Sequence, residues 1–162
     1  SPKGPDLLIL MWALFELDRL AECVQVARWF LLVSPGNADG YTLFARVLAR
    51  QDELVPAAIQ VGRLERLKPG DPDVLLAKGR VARARRWYNG ACRSFRRALL
   101  TEPSRGEGMF DLARSLWGAE ANLEAERVLK RVCRVNPWFE RRAAVLRQSA
   151  TQRDFRLPES KK

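Results

Sequence analysis

The sequence predicts an all-α fold of stacked antiparallel helix pairs, and a 34-residue period carries that prediction. Four prolines, Pro35, Pro69, Pro103 and Pro137, stand 34 residues apart. Between them, apolar residues recur at the three- and four-residue spacing of one helical face. A unit of this length holds two helices and cannot bury its own apolar face. We therefore expect the units to stack into an open superhelix with an inner groove.

Small residues recur in the same register, at positions where two helices would cross closely. With each proline numbered as position 32 of its unit, position 8 and position 20 are small in successive units. They are Ala45, Gly79 and Ala113 at position 8, and Cys23, Ala57, Ala91 and Ala125 at position 20.

Each helix is placed by its apolar stripe and by the residues that begin or end it. Asp71 or Asp73 is expected to cap the fifth helix and Asn122 the eighth, while Pro56 is tolerated in the first turn of the fourth. The predicted helices run over Asp6–Leu17, Leu20–Val33, Ala38–Arg50, Leu54–Leu67, Tyr88–Leu100, Glu107–Gly118 and Leu123–Val135, and the fifth helix, after its cap, runs to about Arg85.

One further helix is predicted after Pro137, over Trp138–Gln148. Phe139, Ala143 and Leu146 fall on one side of it, and Arg141, Arg142 and Arg147 on the other, which suits a cap that stops further stacking. Residues 149–162 are polar and basic and are expected to form a mobile tail. The predicted organisation is a lead at 1–5, a repeat array with its capping helix at 6–148, and the tail.

The third unit shows the repeat most clearly, with Leu75, Gly79, Ala91, Phe95 and Ala98 in series before Pro103. This pattern resembles the tetratricopeptide repeat (TPR) family over about Asp6 to Pro137. The resemblance implies a right-handed α-solenoid of about four units. Lys78, Met11 and Glu65 depart from the family pattern, so the first unit is expected to pack less regularly.

Composition argues against catalysis and against a metal or other cofactor. The 162 residues include no histidine, which removes the commonest general base and metal ligand. No glycine-rich phosphate loop or nucleophile elbow is visible. Cys23, Cys92 and Cys133 are odd in number, lack metal-ligand spacing and indicate core thiols in a reducing compartment. We expect a cytoplasmic protein, at the inner face of a membrane if an anchor precedes Ser1.

The resemblance also implies which residues line the groove, since first helices form the concave face in this family. Position 9 of those helices holds Trp12, Arg46, Arg80 and Arg114. Arginines with apolar neighbours suit a partner segment that alternates carboxylates with apolar side chains. The predicted groove residues are Trp12, Phe15, Leu43, Arg46, Arg50, Leu76, Arg80, Arg83, Phe110, Arg114 and Trp117. The alternative is that the arginines are solvated and the aromatic residues complete the core.

The chain is strongly basic, with a net charge of +10. Eight of its basic residues lie between Lys78 and Arg97, where there is no acidic residue. Such a face attracts an acidic protein, an anionic membrane or a nucleic acid backbone. The alternative is a solvated basic surface.

The predicted function is a non-catalytic protein-binding module, an adaptor, scaffold or chaperone-like assembly factor, whose partner is a protein or peptide with acidic and apolar residues. The apolar first unit, with Leu8, Ile9, Trp12 and Phe15, leaves a homodimer open. Alternatives are a membrane-proximal scaffold of a bacterial secretion or exopolysaccharide machine, and nucleic-acid binding through residues 78–97. The last is disfavoured because no stacking platform or base-reading motif is present.

Overall fold

A computed structural model describes residues 4–154, and all regular structure within that range is helical. The nine α-helices in this range are α1 Gly4–Glu16, α2 Leu20–Val33, α3 Ala38–Arg50, α4 Leu54–Leu67, α5 Pro72–Ala84, α6 Tyr88–Thr101, α7 Gly106–Gly118, α8 Asn122–Val135 and α9 Glu140–Asp154. A 3₁₀ turn, Pro137–Phe139, precedes α9.

The helices form four antiparallel pairs that stack in chain order. Each first helix packs against its own second helix, and each second helix also packs against the first helix of the next pair. The first helices α1, α3, α5 and α7 contact one another in series. This arrangement confirms the predicted superhelix of helix pairs, and it places the first helices side by side on its inner face.

The helix boundaries confirm most of the predictions. Helices α2, α3 and α4 begin and end at the predicted residues. The carboxylate of Asp71 accepts hydrogen bonds from the backbone N–H groups of Asp73 and Val74, so Asp71 is the cap of α5. The prediction for Asn122 was wrong, because it is the first residue of α8 and no side chain caps that helix.

The last helix is longer than predicted and continues past Gln148 to Asp154. The hydroxyls of Ser149 and Thr151 donate to the carbonyls of Val145 and Arg147, so these polar residues are accommodated inside the helix. The predicted tail therefore begins in helical structure. Its remainder, residues 155–162, lies outside the described residues.

The core runs through the whole array, because the recurring small and apolar positions are buried in every unit. Cys23, Ala57, Ala91 and Ala125 are each 0% exposed. One turn and two turns later, the same helices bury Ala27 and Phe30, and their equivalents in the later units. The buried clusters span neighbouring units: α5 contributes Ala77 and Val81 to the cluster of α1 to α4. Each unit therefore depends on its neighbour for its core.

The departures from the family pattern are compensated in the structure. Lys78 and Glu65, which replace apolar residues, pair with each other at 2.9 Å between Nζ and Oε1. Met11 replaces a small residue, is fully buried, and its carbonyl accepts from the thiol of Cys23 at 3.2 Å. The first unit therefore packs around a larger residue at its helix crossing, with cysteine opposite.

The turns inside the four pairs share one strained backbone conformation. Asp18, Asp52, Arg86 and Glu120 lie 34 residues apart and have φ angles of 57° to 62°. In each turn the following N–H bonds to a carbonyl five residues back, as in Trp87 N–H to the carbonyl of Ala82 at 2.8 Å. This closure normally uses glycine at the left-handed position. Two of these turns thus use arginine or glutamate, which resist that conformation, and two use aspartate, which tolerates it better.

We expect Ala91→Leu to destabilise the array by about 1–3 kcal/mol or more, because added methylenes must be accommodated at a fully buried helix crossing. Urea unfolding followed by far-ultraviolet circular dichroism measures the effect. Ala144→Leu is the control, because Ala144 is exposed on α9. Equal unfolding midpoints for the two variants would show that the crossing tolerates bulk.

We also expect Arg86→Gly to stabilise the fold by about 1 kcal/mol, because glycine relieves the cost of the left-handed conformation. Asp52→Gly should help less, since aspartate tolerates that conformation better than arginine does. Thermal unfolding of both variants tests the ranking. A lower melting temperature for Arg86→Gly would contradict the strain argument.

Candidate functional site: an arginine cluster on the inner face

The inner face carries five arginines from three successive first helices. Arg46 and Arg50 lie on α3, Arg80 and Arg83 on α5, and Arg114 on α7. Arg46, Arg80 and Arg114 occupy the same position of successive units, so stacking of the units places them in a row. Arg50 and Arg83 each lie one turn further along their helices, beside that row.

At the first unit, arginines cover aromatic rings. The guanidinium of Arg46 lies 5.2 Å from the ring centre of Trp12 and 4.8 Å from that of Phe15. Arg50 lies 4.8 Å from the same Phe15 ring, donates to the Phe15 carbonyl at 3.4 Å, and pairs with Asp18 at 3.5 Å. Arg50 therefore joins α3 to the end of α1, whereas Arg46 has no ion pair among the described residues.

A buried carboxylate, Asp111 on α7, organises the arginines of the third and fourth units. Its Oδ2 accepts from Arg80 Nε at 2.7 Å. Its Oδ1 lies 3.8 Å from Arg114 Nη1 and 4.0 Å from Arg83 Nη2. Only the contact with Arg80 has the length of a hydrogen bond. One carboxylate thus faces three guanidinium groups.

The proximity of like charges is visible in the pKa values of two arginines. Burial lowers the pKa of Arg83, and the neighbouring charges of Arg114 and Arg80 lower it further, against the opposite effect of Asp111. Burial likewise lowers the pKa of Arg46, with Arg80 and Arg50 adding to the effect and Glu16 opposing it. The row of arginines is therefore close enough for its charges to repel, which favours binding of an anion.

Four apolar residues predicted to line the groove lie in the core instead. Leu43 and Leu76 are almost fully buried, where neighbouring first helices contact each other. Phe15 is covered by Arg46 and Arg50, and Phe110 is covered by Arg142 of α9, whose guanidinium lies 4.4 Å from its ring centre. The aromatic residues left for a partner on this face are Trp12, which is 38% exposed, and the half-buried Trp117.

Three cavities follow the row of arginines. One of about 300 Å³ lies between α3 and α5, beside Arg46 and Arg80, and includes Asp39 and Asp73. A second of about 420 Å³ contains Arg83 and Arg114. A third of about 490 Å³ continues past Arg114. The inner face therefore has space beside its cations for carboxylate or phosphate groups.

Sequence reasoning did not identify two parts of this site. The first is Asp111, which pairs with the arginines. The sequence feature that could have identified it is a carboxylate three residues before Arg114, at a position that is apolar in the other units. The second is α9, whose Leu146, Ser149 and Ala150 form one wall of the cavity of about 420 Å³. No sequence signal places that wall, because it depends on the angle at which α9 leaves the 3₁₀ turn.

The basic residues between Lys78 and Arg97 do not form one continuous surface. Acidic residues from other helices pair with several of them: Glu65 with Lys78, Asp111 with Arg80, and Glu124 with Arg96 at 2.7 Å. Arg93 and Arg97 remain exposed on α6 with no ion pair among the described residues. The stretch that lacks acids in sequence is thus partly neutralised in space.

Residues 4–154 contain neither a candidate membrane span nor a candidate metal cluster. None of the helices there has both the length and the apolar character needed to cross a membrane. No group of three or more cysteine, aspartate or glutamate side chains in that part of the chain is arranged to hold a metal ion.

Comparison with known proteins gives matches by structure and none by sequence. No protein-family model matches the sequence, and a search of curated proteins found no significant match. Among solved structures, the thermophilic TPR protein TTC0263 of Thermus thermophilus superposes with a TM-score of 0.79 at 19% identity, over 93% of this chain and 82% of that one.

Two other solved structures superpose similarly. PilF of Pseudomonas aeruginosa has a TM-score of 0.79 at 15% identity, covering 93% of this chain and 68% of that one. The first TPR of Spaghetti (RPAP3), bound to the HSP90 peptide SRMEEVD, has a TM-score of 0.65 at 18% identity, covering 70% of this chain and 90% of that one. Together with the four stacked helix pairs of residues 4–135, these similarities confirm that the chain has the tetratricopeptide repeat fold.

Proposed function

We propose that the chain is a non-catalytic protein-interaction module that binds an acidic, partly apolar segment of another protein along its inner face. The observation that carries this proposal is the row of arginines on α3, α5 and α7 with a single buried carboxylate among them. Arginine pairs with carboxylates through two parallel hydrogen bonds, which gives both affinity and orientation. A peptide rich in carboxylates matches this surface.

The fold supports a peptide as the ligand. The RPAP3 structure shows a TPR domain of similar shape with a bound peptide whose sequence, SRMEEVD, contains three acidic side chains and two apolar residues. In this chain the cations that would meet such a peptide are the arginines of α3, α5 and α7. The likeness supports a peptide as a ligand that this fold can hold.

Apolar contacts would be made at the two ends of the row. Trp12 lies beside Arg46 at one end, and Trp117 lies near Arg114 at the other. Exposed aromatic rings next to arginines are typical of the residues that dominate binding energy at protein interfaces. The partner segment should therefore carry an apolar residue at each end of its acidic stretch.

The structure weakens the alternative of nucleic-acid binding through residues 78–97. A backbone of phosphates needs a continuous basic track, whereas Glu65, Asp111 and Glu124 interrupt this one. A homodimer through the first unit stays open as a proposal, since Ile9 in the middle of α1 and Leu17 just after it are each about two-thirds exposed. Cytoplasmic location and a membrane-proximal role also remain proposals.

The test is a selection of peptides from a random ten-residue library against the immobilised chain. We expect acidic sequences with apolar residues to be enriched, and the double variant Arg46→Gln with Arg114→Gln to weaken their binding by about tenfold or more, since two charged hydrogen bonds are lost. These two arginines are chosen because Arg80 holds the buried Asp111. Replacing Arg80 would leave that carboxylate without its short hydrogen bond and affect stability as well.

The matched control is Arg93→Gln with Arg97→Gln, which removes the same charge from α6. It should bind the selected peptides as the natural sequence does, apart from a small effect of net charge. Enrichment of neutral or basic peptides, or an equal loss in both double variants, would contradict groove binding. Circular dichroism confirms that each variant keeps its helical content.

A further inference from the structure

A cavity of about 420 Å³ lies where five helices meet at the end of the arginine row. Its residues come from α5, α6, α7, α8 and α9, so it exists only when the third unit, the fourth unit and the terminal helix are packed together. Those that the argument uses are Arg83, Tyr88, Arg114, Trp117, Leu146 and Ala150.

The charge beside this cavity is positive and incompletely compensated. Asp111 faces three guanidinium groups, which leaves a net charge of +2. Arg80, which donates the short hydrogen bond to Asp111, does not line the cavity. Arg83 and Arg114 do line it, and both lie at 3.8 Å or more from the carboxylate. The two arginines that face the cavity are therefore the two that Asp111 holds loosely.

One hydrogen-bond donor of Arg83 also lacks an acceptor. Its side chain is only 22% exposed, and its Nε is a buried donor with no hydrogen-bond acceptor among the described residues. A buried donor without a partner costs about 1–3 kcal/mol, and more when it is charged. Arg83 and Arg114 repel each other beside this cavity, and an anion in it would stabilise both guanidinium groups. The Nε of Arg83 has no exposed surface and would not contact that anion directly.

The remaining walls suit an anion carried on an aromatic or apolar group. Tyr88 and Trp117 contribute rings, and Leu146 and Ala150 contribute apolar surface. Gly118 allows the Tyr88 ring to lie at this place, because a Cβ on Gly118 would collide with it. The neighbouring cavity of about 490 Å³ shares Arg114 and adds Arg141, while its Arg142 is paired with Glu107 at 2.7 Å. Arg114 and Arg141 keep the approach positively charged.

We propose that this cavity is a binding site for a dianionic phosphoryl group, held by Arg83 and Arg114 against the rings of Tyr88 and Trp117. A phosphate monoester carries a charge of about −1.5 to −2 near neutral pH and has three acceptor oxygens. It therefore matches a net charge of +2 and two guanidinium groups, whereas a carboxylate supplies a single charge. The phosphoryl group can belong to a free phosphate ester or to a phosphorylated side chain of the partner.

The site deepens the proposed function and rests on it only where the partner segment supplies the phosphoryl group. Small probes test the anion site with no partner present. A failed peptide selection would therefore leave this site standing, and absence of phosphate binding would leave the peptide groove standing.

The experiment is calorimetric titration of the full chain, at low salt and about pH 7.5, with phenyl phosphate, inorganic phosphate and benzoate. We expect phenyl phosphate to bind about tenfold or more tightly than benzoate, which has the same ring and one charge. Binding should weaken as the pH falls through about 6, where phenyl phosphate loses its second charge while the arginines keep theirs. A short phosphotyrosine peptide, titrated alongside, distinguishes the two sources. Binding at least as tight as that of phenyl phosphate indicates a phosphorylated side chain, and weaker binding indicates a free phosphate ester; both agree with the site.

Variants locate the binding. Arg83→Gln should weaken phenyl phosphate by about tenfold or more, and Arg97→Gln, an exposed arginine on α6, should leave it unchanged. Arg114→Gln is the second variant if Arg83→Gln fails to fold, because Arg114 is more exposed. Equal affinity for benzoate and phenyl phosphate, no binding of either phosphate, or unchanged binding in a folded Arg83→Gln or Arg114→Gln variant would overturn the proposal.

Discussion

The structure depends on the inability of a single helix pair to cover its own apolar side. Each pair presents a stripe that only the next pair can bury, and close approach is possible because position 20 is alanine or cysteine in all four units. The buried clusters therefore span neighbouring units, as the shared cluster of α1 to α5 shows. A side effect of this arrangement is that identical positions of the first helices meet in a row, which is how three arginines far apart in sequence come together.

A row of arginines is unfavourable by itself, and the structure offsets part of that cost with one carboxylate. Asp111 is buried beside Arg80, Arg83 and Arg114, and the hydrogen bond that it accepts from Arg80 joins α5 to α7. Because Asp111 neutralises only one of the three arginine charges, the inner face keeps a net positive charge that favours binding of an anion. The same residue thus contributes to stacking of the third and fourth units and sets the charge that a ligand would meet.

The repeat predicted the boundaries of most helices, since the three- and four-residue apolar spacing and the prolines mark them directly. It could not predict the turns, because Asp52 and Arg86 adopt a left-handed conformation that usually signals glycine. Nor could it separate apolar groove residues from core residues: Leu43 and Leu76 lie about one turn from exposed arginines and yet are buried by the neighbouring helix. Lys78 and Glu65 looked like two errors in the pattern, and only their proximity shows them to be one ion pair.

By itself, the sequence determined the number of helix pairs, their order and the row of arginines, because a strict 34-residue period gives equivalent positions the same local environment in every unit. Only the tertiary structure showed which partners and neighbours these arginines have. Arg80 pairs with Asp111, which is 31 positions away, and Arg142 covers Phe110, which is 32 positions away. Helix α9 adds a wall beside Arg83 from about 65 positions further along the chain. Such contacts depend on the angles between stacked helices, which no local pattern of residues encodes.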